Sequence, residues 1–542
     1  MKASQIGIWV LLSFLCIIIL SWIASSLISS KLEEAIPRYE FGTFKTKVGD
    51  VKVKLLVGNL TLHDVQLYDT VGFGSVSTTK IRFQGIQLLK LIFNKKIALR
   101  KVLINGANIS LYLDENNKLI LPQENNKTSK YNLIGIDKVQ IIKANFLISQ
   151  ADPSKIDPGK IDSSKTDPSK TDHSKADHSK ADSIFNTEFN LDLWAISNTN
   201  LKRFSYNKTN FDSLSFFLRN GSYRLANGLH NISYDTISYR GSENRLTIDL
   251  LLLKSRFAKY EIGKHTGVET DWFDFTVKGI NMENIQLQNL ISQNALIMSQ
   301  IEINHFTGIA FKDKRLPFPE KPDTKLPIEL LHSLPITLHI DSIILKDANI
   351  EYAERVKDSK KAGAVTFNNL SANIKNLSNI DSLITAPTTM HASANVMNEA
   401  LLTANFIFPN VKYPRSYSAK GVMGSMDIAS FNPILEQNAS VLVESGKVNK
   451  LSFDFVYNND DSKGNLYFDY NDLKISIIDK SDNRIKKAQT FLINNILLHK
   501  ENLKTEKSFR EGNVSFSRNK KRSIFNYWWK SLFSGIKNSV IL

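Results

Sequence analysis

The sequence predicts a mainly β protein: one long array of strands behind an apolar N-terminal helix, with a few short helices. Three observations predict it. Two-residue alternation recurs in related phrases along the chain, low-complexity sequence interrupts those phrases once, and an apolar stretch of membrane-spanning length stands near the N-terminus.

The phrases come first. Residues 101–112 read KVLINGANISLY, residues 138–148 (KVQIIKANFLI) and 342–352 (SIILKDANIEY) repeat them, and residues 59–68 (NLTLHDVQLY) are a looser copy. Apolar residues fall at i and i+2, skip two positions, and resume at i+5 and i+7, as Val102 and Ile104 precede Ala107 and Ile109. An extra residue would throw the second half of a strand to the other face unless a bulge absorbs it. The residue before the resumption therefore needs a left-handed backbone. It is Gly106, Asp347 and Asp64 in three copies and Lys143 in the fourth, and further matches centre on Gly85 and Gly279. Gly, Asn and Asp adopt positive φ most cheaply. In a chain with 42% hydrophobic residues the four apolar positions alone recur by chance about 16 times. The weight therefore rests on the Ala-Asn phrase, the bend residue, and the even separation of the starts at Leu60, Ile81 and Val102. One supersecondary unit per repeat, in an elongated array, accounts for these.

Residues 6–28 are apolar apart from serines, with Trp9 and Trp22 near the ends, and are long enough to span about 30 Å of hydrocarbon. A cleaved signal peptide is the competitor, but its apolar core runs to about 7–15 residues and ends in a small-x-small site, so an uncleaved anchor is expected. Residues 31–39 read as a helical neck stopped by Pro37. Strands follow at 51–57, in the Leu60 phrase, at 81–88 and in the Val102 phrase, with a helical turn at 88–93. Residues 151–180 are a tandem pentapeptide (ADPSK IDPGK IDSSK TDPSK TDHSK ADHSK) with almost no apolar side chain, hence a disordered insertion. Its His173 and His178, beside Asp172 and Asp177, read as a solvated spacer rather than a metal tract. Strands resume at 188–195, 246–253, 272–282, 336–345 and 365–370. Four prolines (Pro317, Pro319, Pro322, Pro327) mark 315–327 as a boundary. Residues 426–437 and 484–499 read as helical. Residues 457–464 (YNNDDSKG) are a hairpin turn and not a calcium loop, since Lys463 replaces a ligand and Tyr470 stands where the bidentate glutamate belongs. The expected organisation is an anchor (1–30), an N-terminal β segment (31–150), the insertion (151–183), a main β body (184–480) and a C-terminal helical, basic-aromatic segment (481–542).

The balance of 69 basic against 53 acidic residues, +16 net, suits an anionic partner such as phospholipid headgroups, or else serves colloidal solubility. Nucleic acid is not expected as a partner. The single cysteine, Cys16, lies in the apolar leader, so no disulfide framework or zinc cluster is possible. No Walker loop, HExxH or GxSxG occurs, and Gly72-Phe73-Gly74 lacks the third glycine and strand-to-helix context of a dinucleotide site. A non-enzymatic protein without cofactor or metal is expected. At the end, RNKKR (518–522) precedes SIFNYWWKSLF (523–533). As a helix, Ile524, Trp528, Leu532, Ile536 and Val540 form a stripe broadened by Phe525, Trp529 and Phe533. Arg522, Phe525, Trp528, Trp529, Lys530 and Phe533 suit a bilayer interface, while the alternative is a terminal helix capping the open end of the sheet.

The N-terminal anchor followed by GNLTLHDV (58–65), the 101–112 phrase, LPITLHID (334–341), KDANIEY (346–352), and GKV (446–448) leading to LSF (451–453) resemble the AsmA-like family of Gram-negative envelope proteins, the group that includes TamB. The resemblance covers most of the chain outside 151–180; the pentapeptide insertion is not a family feature. It implies a single-pass inner-membrane anchor, a periplasmic body, and a twisted sheet curled into an apolar groove that carries phospholipid towards the outer membrane or supports outer-membrane assembly through the C-terminus. A sheet with one apolar face needs a cover, and acyl chains can supply it. The groove would then be lined by Leu60, Leu62, Val65, Leu67, Val102, Ile104, Ala107, Ile109, Val139, Ile141, Ala144, Phe146, Ile343, Leu345, Ala348 and Ile350.

Overall fold

Period-two alternation does become strand. The computed structural model describes residues 21–34, 44–69, 74–94, 96–113, 133–150, 183–198, 209–210, 213–411, 416–479 and 484–541. It is mainly β, 58% strand and 19% helical. The chain divides into two units, Met1–Ala226 with Ser233–Glu243, and Asn227–Ile232 with Asn244–Leu542. Most of the expected anchor, the end of the neck and the pentapeptide tract lie outside the described residues, among which no helix is long and apolar enough to cross a membrane.

In the first unit β1 (Phe44–Lys47) and β2 (Asp50–Lys54) both pair with β3 (Asn59–Asp69). The ladder continues through β4 (Gly74–Gln84), β5 (Lys96–Leu113), β6 (Leu133–Gln150) and β7 (Ser183–Asn198) to β8 (Thr209–Asn210) and β9 (Ser213–Arg224). The insertion thus joins two adjacent antiparallel strands, β6 and β7. Strand β10 (His230–Arg240) draws residues from both units. The second unit runs through β11 (Arg245–Ser255), β12 (Asp271–Glu283), β13 (Ala295–Asp313), β14 (Thr337–Arg355), β15 (Gly363–Ser378), β16 (Thr388–Val396), β17 (Ala400–Phe408) and β18 (Tyr417–Met423). Strand β18 and the short β19 (Met426–Asp427) both pair with β20 (Val441–Tyr457), which leads to β21 (Asp461–Ile477) and β22 (Gly512–Ser517). Among these described pairings only β5–β6 and β13–β14 are parallel, and neither ladder closes on itself.

The two copies of the phrase at 101–112 and 138–148 are those parallel neighbours β5 and β6, in register: Val102 faces Val139, Ile104 faces Ile141, and Asn108 faces Asn145. Asn145 Nδ2 donates to Asn108 Oδ1 at 2.9 Å, so the repeated Ala-Asn motif stacks amide on amide. Every expected bend residue has positive φ: Asp64 51°, Gly85 66°, Gly106 66°, Lys143 53°, Gly279 69° and Asp347 45°. The register slips beside two of them, between Ile141 and Ala144 against β7 and between Leu345 and Ala348 against β15. A bulge leaves a backbone N–H out of the ladder, and a neighbouring asparagine takes it: Lys143 N–H donates to Asn190 Oδ1 at 2.8 Å and Asn369 N–H to Asn349 Oδ1 at 3.2 Å; just past the end of β4, Gly85 N–H donates to Asn59 Oδ1 at 3.2 Å.

In each unit a helix lines one outer strand, and the two do so in the same way. Along the helix at 21–34, Ser25 Oγ accepts from Leu55 N–H at 3.2 Å, Ser29 Oγ from Val53 N–H at 3.0 Å, and Glu33 Oε1 from Val51 N–H at 2.9 Å. Four helical residues rise about 6 Å and two strand residues about 6.6 Å, so side chains at i, i+4 and i+8 match every second N–H of an edge strand. On β22, Ser515 N–H donates to Ser534 Oγ at 3.1 Å, and Asn538 Nδ2 donates to Asn513 O at 2.9 Å, again a four-to-two match. These bonds use the edge groups that would otherwise template another strand.

Three readings change at their boundaries. Strand β2 stops at Lys54 and a 3-10 turn occupies Leu55–Val57, because Gly58 turns left-handed (φ 59°) to reverse the chain. The 315–327 stretch divides no unit. It starts the crossover between the parallel strands β13 and β14, which must run from one end of the ladder to the other. Residues 426–437 begin with β19 and a 3-10 turn (Ile428–Phe431) before the helix Asn432–Ala439, where Pro433 sits in the first turn.

Two predictions follow from these positions. Gly106→Val puts a β-branched residue at φ 66°, with its Cβ 3.0 Å from Thr79 Oγ1; it lowers stability by about 1–3 kcal/mol, whereas Lys143→Gly is neutral or stabilising by up to about 1 kcal/mol, both read by thermal melting. Burial also pushes the phenols of Tyr417, Tyr457 and Tyr470 well above the ordinary value, and that of Tyr527 up to about 12. Because the folded values are raised, this stability is complete below about pH 10 and is lost as pH rises through them. Tyrosinate absorbance at 295 nm should rise together with loss of β circular dichroism above about pH 10; titration near 10 with the β signal intact would refute it.

Candidate functional site

Residues directly opposite in neighbouring strands share a face. In the first unit this aligns Leu62, Ile81, Ile104, Ile141, Leu191 and Phe216 in one row across β3 to β9. A second row joins Leu60, Phe83, Val102, Val139, Leu193 and Leu214. Beyond the bend, Leu67, Val76, Ile109 and Phe146 form a third, while Val65 and Ala107 flank Thr78. Leu60, Leu62 and Val65 pack in one cluster with Val51, Val53, Ile81 and Phe83, so both halves of β3 present the same face.

Every proposed lining residue lies in such a paired row. Leu62, Val65, Val102, Ala107, Ala144 and Ala348 are buried. Leu60, Leu67, Ile104, Ile109, Val139, Ile141, Phe146, Ile343, Leu345 and Ile350 are half-buried. In the second unit Ile343 lies between Ile301 and Ile374, Leu345 between Ile303 and Ala372, Ala348 between Phe306 and Leu370, and Ile350 between Gly308 and Phe367. Sequence reading alone missed Leu214, Phe216 and Phe306, whose membership depends on strand register.

The apolar faces of the two units differ. Across β16 to β22 it is filled: Leu326, Ala419, Val448, Phe455, Tyr457, Leu466, Tyr470 and Val514 are almost fully buried in one core, with Phe406, Trp528, Leu532 and Ile536 packed on it. Across β3 to β9 most of the described row residues are half-buried, Leu62 and Val102 being buried, and a compact cluster lies around Val51, Leu62 and Val65. The polar edges of the strands carry lateral ion pairs, such as Lys138–Asp192 (3.4 Å), Lys254–Asp274 (3.0 Å) and Lys346–Glu302 (2.7 Å).

The C-terminal helix Ile524–Val540 starts on Ser523, whose Oγ accepts from Asn526 N–H at 3.4 Å. One side docks through small residues: Ser531 and Ser539 are fully buried, Ser531 Oγ meets Ser462 Oγ at 2.7 Å, and a Cβ on Gly535 would lie 2.8 Å from Leu466 Cβ. The helix therefore caps the sheet. Its other side exposes Phe525, Trp529, Lys530 and Phe533. Two residues expected beside them turn inward. Trp528 stacks on Phe406 at 4.5 Å, and Arg522 pairs with the buried Glu269 at 2.6 Å and lies over the Phe318 ring at 4.0 Å. A buried carboxylate needs such a cation, so Arg522 is structural.

Beside that pair the second unit holds a cavity of about 370 Å³ lined by His230, Asp271, Lys312, Phe318 and Lys321 among others. Lys312 neutralises Asp271 at 2.9 Å. His230 Nδ1 lies 3.2 Å from Asn227 Nδ2, whose amide donates, and the ring's Nε2 then donates to Asp271 O at 3.1 Å. Both carboxylates are thus engaged with cations. Among the described residues no group of His, Cys, Asp or Glu side chains converges as a metal site. No protein-family model and no curated protein matches the chain.

The small-residue stripe and the aromatic stripe of the C-terminal helix respond differently to change. Gly535→Val overpacks against Leu466 and lowers stability by about 1–3 kcal/mol, whereas Phe525→Ser and Phe533→Ser stay within about 0.5 kcal/mol in denaturant unfolding.

Proposed function

We propose that the chain is an envelope-biogenesis protein of AsmA-like type, anchored in the bacterial inner membrane through residues 6–28 with its body in the periplasm. In this reading it binds or transfers phospholipid along an apolar β-groove and catalyses no reaction. The observation that carries the reading is the contrast between the filled core at β16 to β22 and the mostly half-buried apolar rows at β3 to β9. Apolar area left without protein cover costs about 25 cal/mol per Å², and acyl chains remove that cost while headgroups remain in water. The +16 net charge favours an anionic surface.

A second reading, a non-catalytic anchored scaffold assisting outer-membrane protein assembly, draws on the exposed Phe525, Trp529 and Phe533 stripe, an apolar face available to a protein. Extraction separates the two. Phospholipid co-purifies with the detergent-solubilised chain, and Ile104→Asp with Ile141→Asp reduces it about tenfold while the β circular dichroism persists. Lipid content at the level of an unrelated anchored protein, unchanged by the double substitution, would overturn the lipid reading. Photocrosslinking from Trp529 to protein alone would then favour the scaffold.

A further inference from the structure

Three hydrogen bonds fasten the helix at 21–34 along β2, with Ser25 meeting Leu55 and Glu33 meeting Val51. The helix therefore runs antiparallel to β2, and its residues 21–24 lie beyond the Leu55 end of the strand. Those residues belong to the apolar stretch 6–28.

Two connections project from the same end of the ladder. The register sets Lys54 beside Asn59, Leu60 beside Phe83, and Gln84 beside Lys101. Beyond that row lie the 3-10 turn Leu55–Val57 and the helix Leu88–Asn94. They adjoin, since Ile86 N–H donates to Gly58 O at 2.8 Å. Their apolar side chains point outward: Leu56 is 63% exposed, Val57 55%, Leu89 72% and Phe93 76%. A short surface helix normally turns such residues inward, so apolar side chains clustered outside call for a partner.

Charge and continuity identify that partner. From residue 82 to 113 the chain contains no Asp or Glu, and Lys54, Lys90, Lys96 and Arg100 are exposed around the apolar residues. Apolar and aromatic side chains ringed by basic ones match the interface of an anionic bilayer. The helix stitched to this end, residues 21–34, begins within the sequence stretch 6–28 of membrane-spanning length. We infer that this end of the first unit is seated in the bilayer surface, with Leu56, Val57, Leu89 and Phe93 entering the lipid. The inference rests on the anchored reading above and adds a second contact to it: the body does not hang from a free tether but sits on the membrane.

Spin labelling tests the seat separately from the anchor. The full-length Cys16→Ser chain is reconstituted in vesicles of phosphatidylethanolamine and phosphatidylglycerol, with a nitroxide on Leu56→Cys, Phe93→Cys, Ile18→Cys or the exposed Gln66→Cys. Power saturation with oxygen and with a water-soluble nickel complex then reports the surroundings of each. Expected is loss of nickel accessibility with gain of oxygen accessibility at Leu56→Cys and Phe93→Cys, against full nickel accessibility at Gln66→Cys. Nickel accessibility at 56 and 93 equal to that at 66 overturns the seat, as does shielding from both reagents, which denotes a protein neighbour. The label at 18 decides the anchor: lipid-exposed there with 56 and 93 in water leaves the anchor and removes the seat, and water-exposed at 18 with 56 and 93 in lipid does the reverse.

Discussion

A left-handed residue within the strand is the constraint on which the other features depend. Strands such as β5 and β14, 18 and 19 residues long, carry apolar residues in two runs that are out of phase by one. Without a bulge, half of each run would lie on the wrong face. Gly106 and Asp347 set a left-handed residue between the two runs, the register slipping beside Asp347, and the asparagines of neighbouring strands take the N–H groups of Lys143 and Asn369 where the ladder slips. Face continuity, amide stacking and the repeated Ala-Asn phrase are therefore consequences of one backbone requirement. Lys143 is the exception in type: it adopts φ 53° with a full side chain, at a cost its bond to Asn190 helps to offset.

Each unit also has an outer strand, and the chain lines β2 in one and β22 in the other alike. Ser25, Ser29 and Glu33 at one edge, and Ser534 and Asn538 at the other, sit four apart on helices and meet strand groups two apart. The near match between two strand steps and four helix steps makes a helix an effective cover for an edge. It also gives the serines of the apolar leader a second purpose. They serve as acceptors for β2 where the helix leaves its apolar context, and the buried Ser25 is the clearest case.

Beside these lined strands lies the face. Across β16 to β22 aromatic side chains fill it, with Tyr417, Tyr457 and Tyr470 in the core and Tyr527 of the C-terminal helix packed against Tyr457. Across β3 to β9 no comparable filling occurs among the described residues, and most residues of the long aliphatic rows are half-buried. This asymmetry is the physical basis for assigning the rows to a ligand that brings its own apolar surface, and the filled end to stability.

Local chemistry was legible because it is short-range. Alternation marked the strands, Gly106, Asp64 and Asp347 marked the bends by their tolerance of positive φ, and the 524–540 periodicity marked the C-terminal helix. The same locality misled where a partner decides the outcome. Periodicity places Trp528 and Trp529 side by side on one helix, but only the packing of Phe406 and Tyr457 draws the first inward and leaves the second outside. Arg522 reads as one more basic residue until Glu269, far away in sequence, is brought to 2.6 Å and buried beside it. Prolines at 315–327 read as a boundary, yet parallel pairing of β13 with β14 requires a crossover there. By itself, then, the sequence determined the strands, their bends and which residues are apolar, since these follow from side-chain period and backbone preference. Tertiary structure decided the register that aligns them into rows, the helices that seal the edges, and which stretch of the apolar face is left half-covered. Those depend on contacts between residues that no local pattern relates.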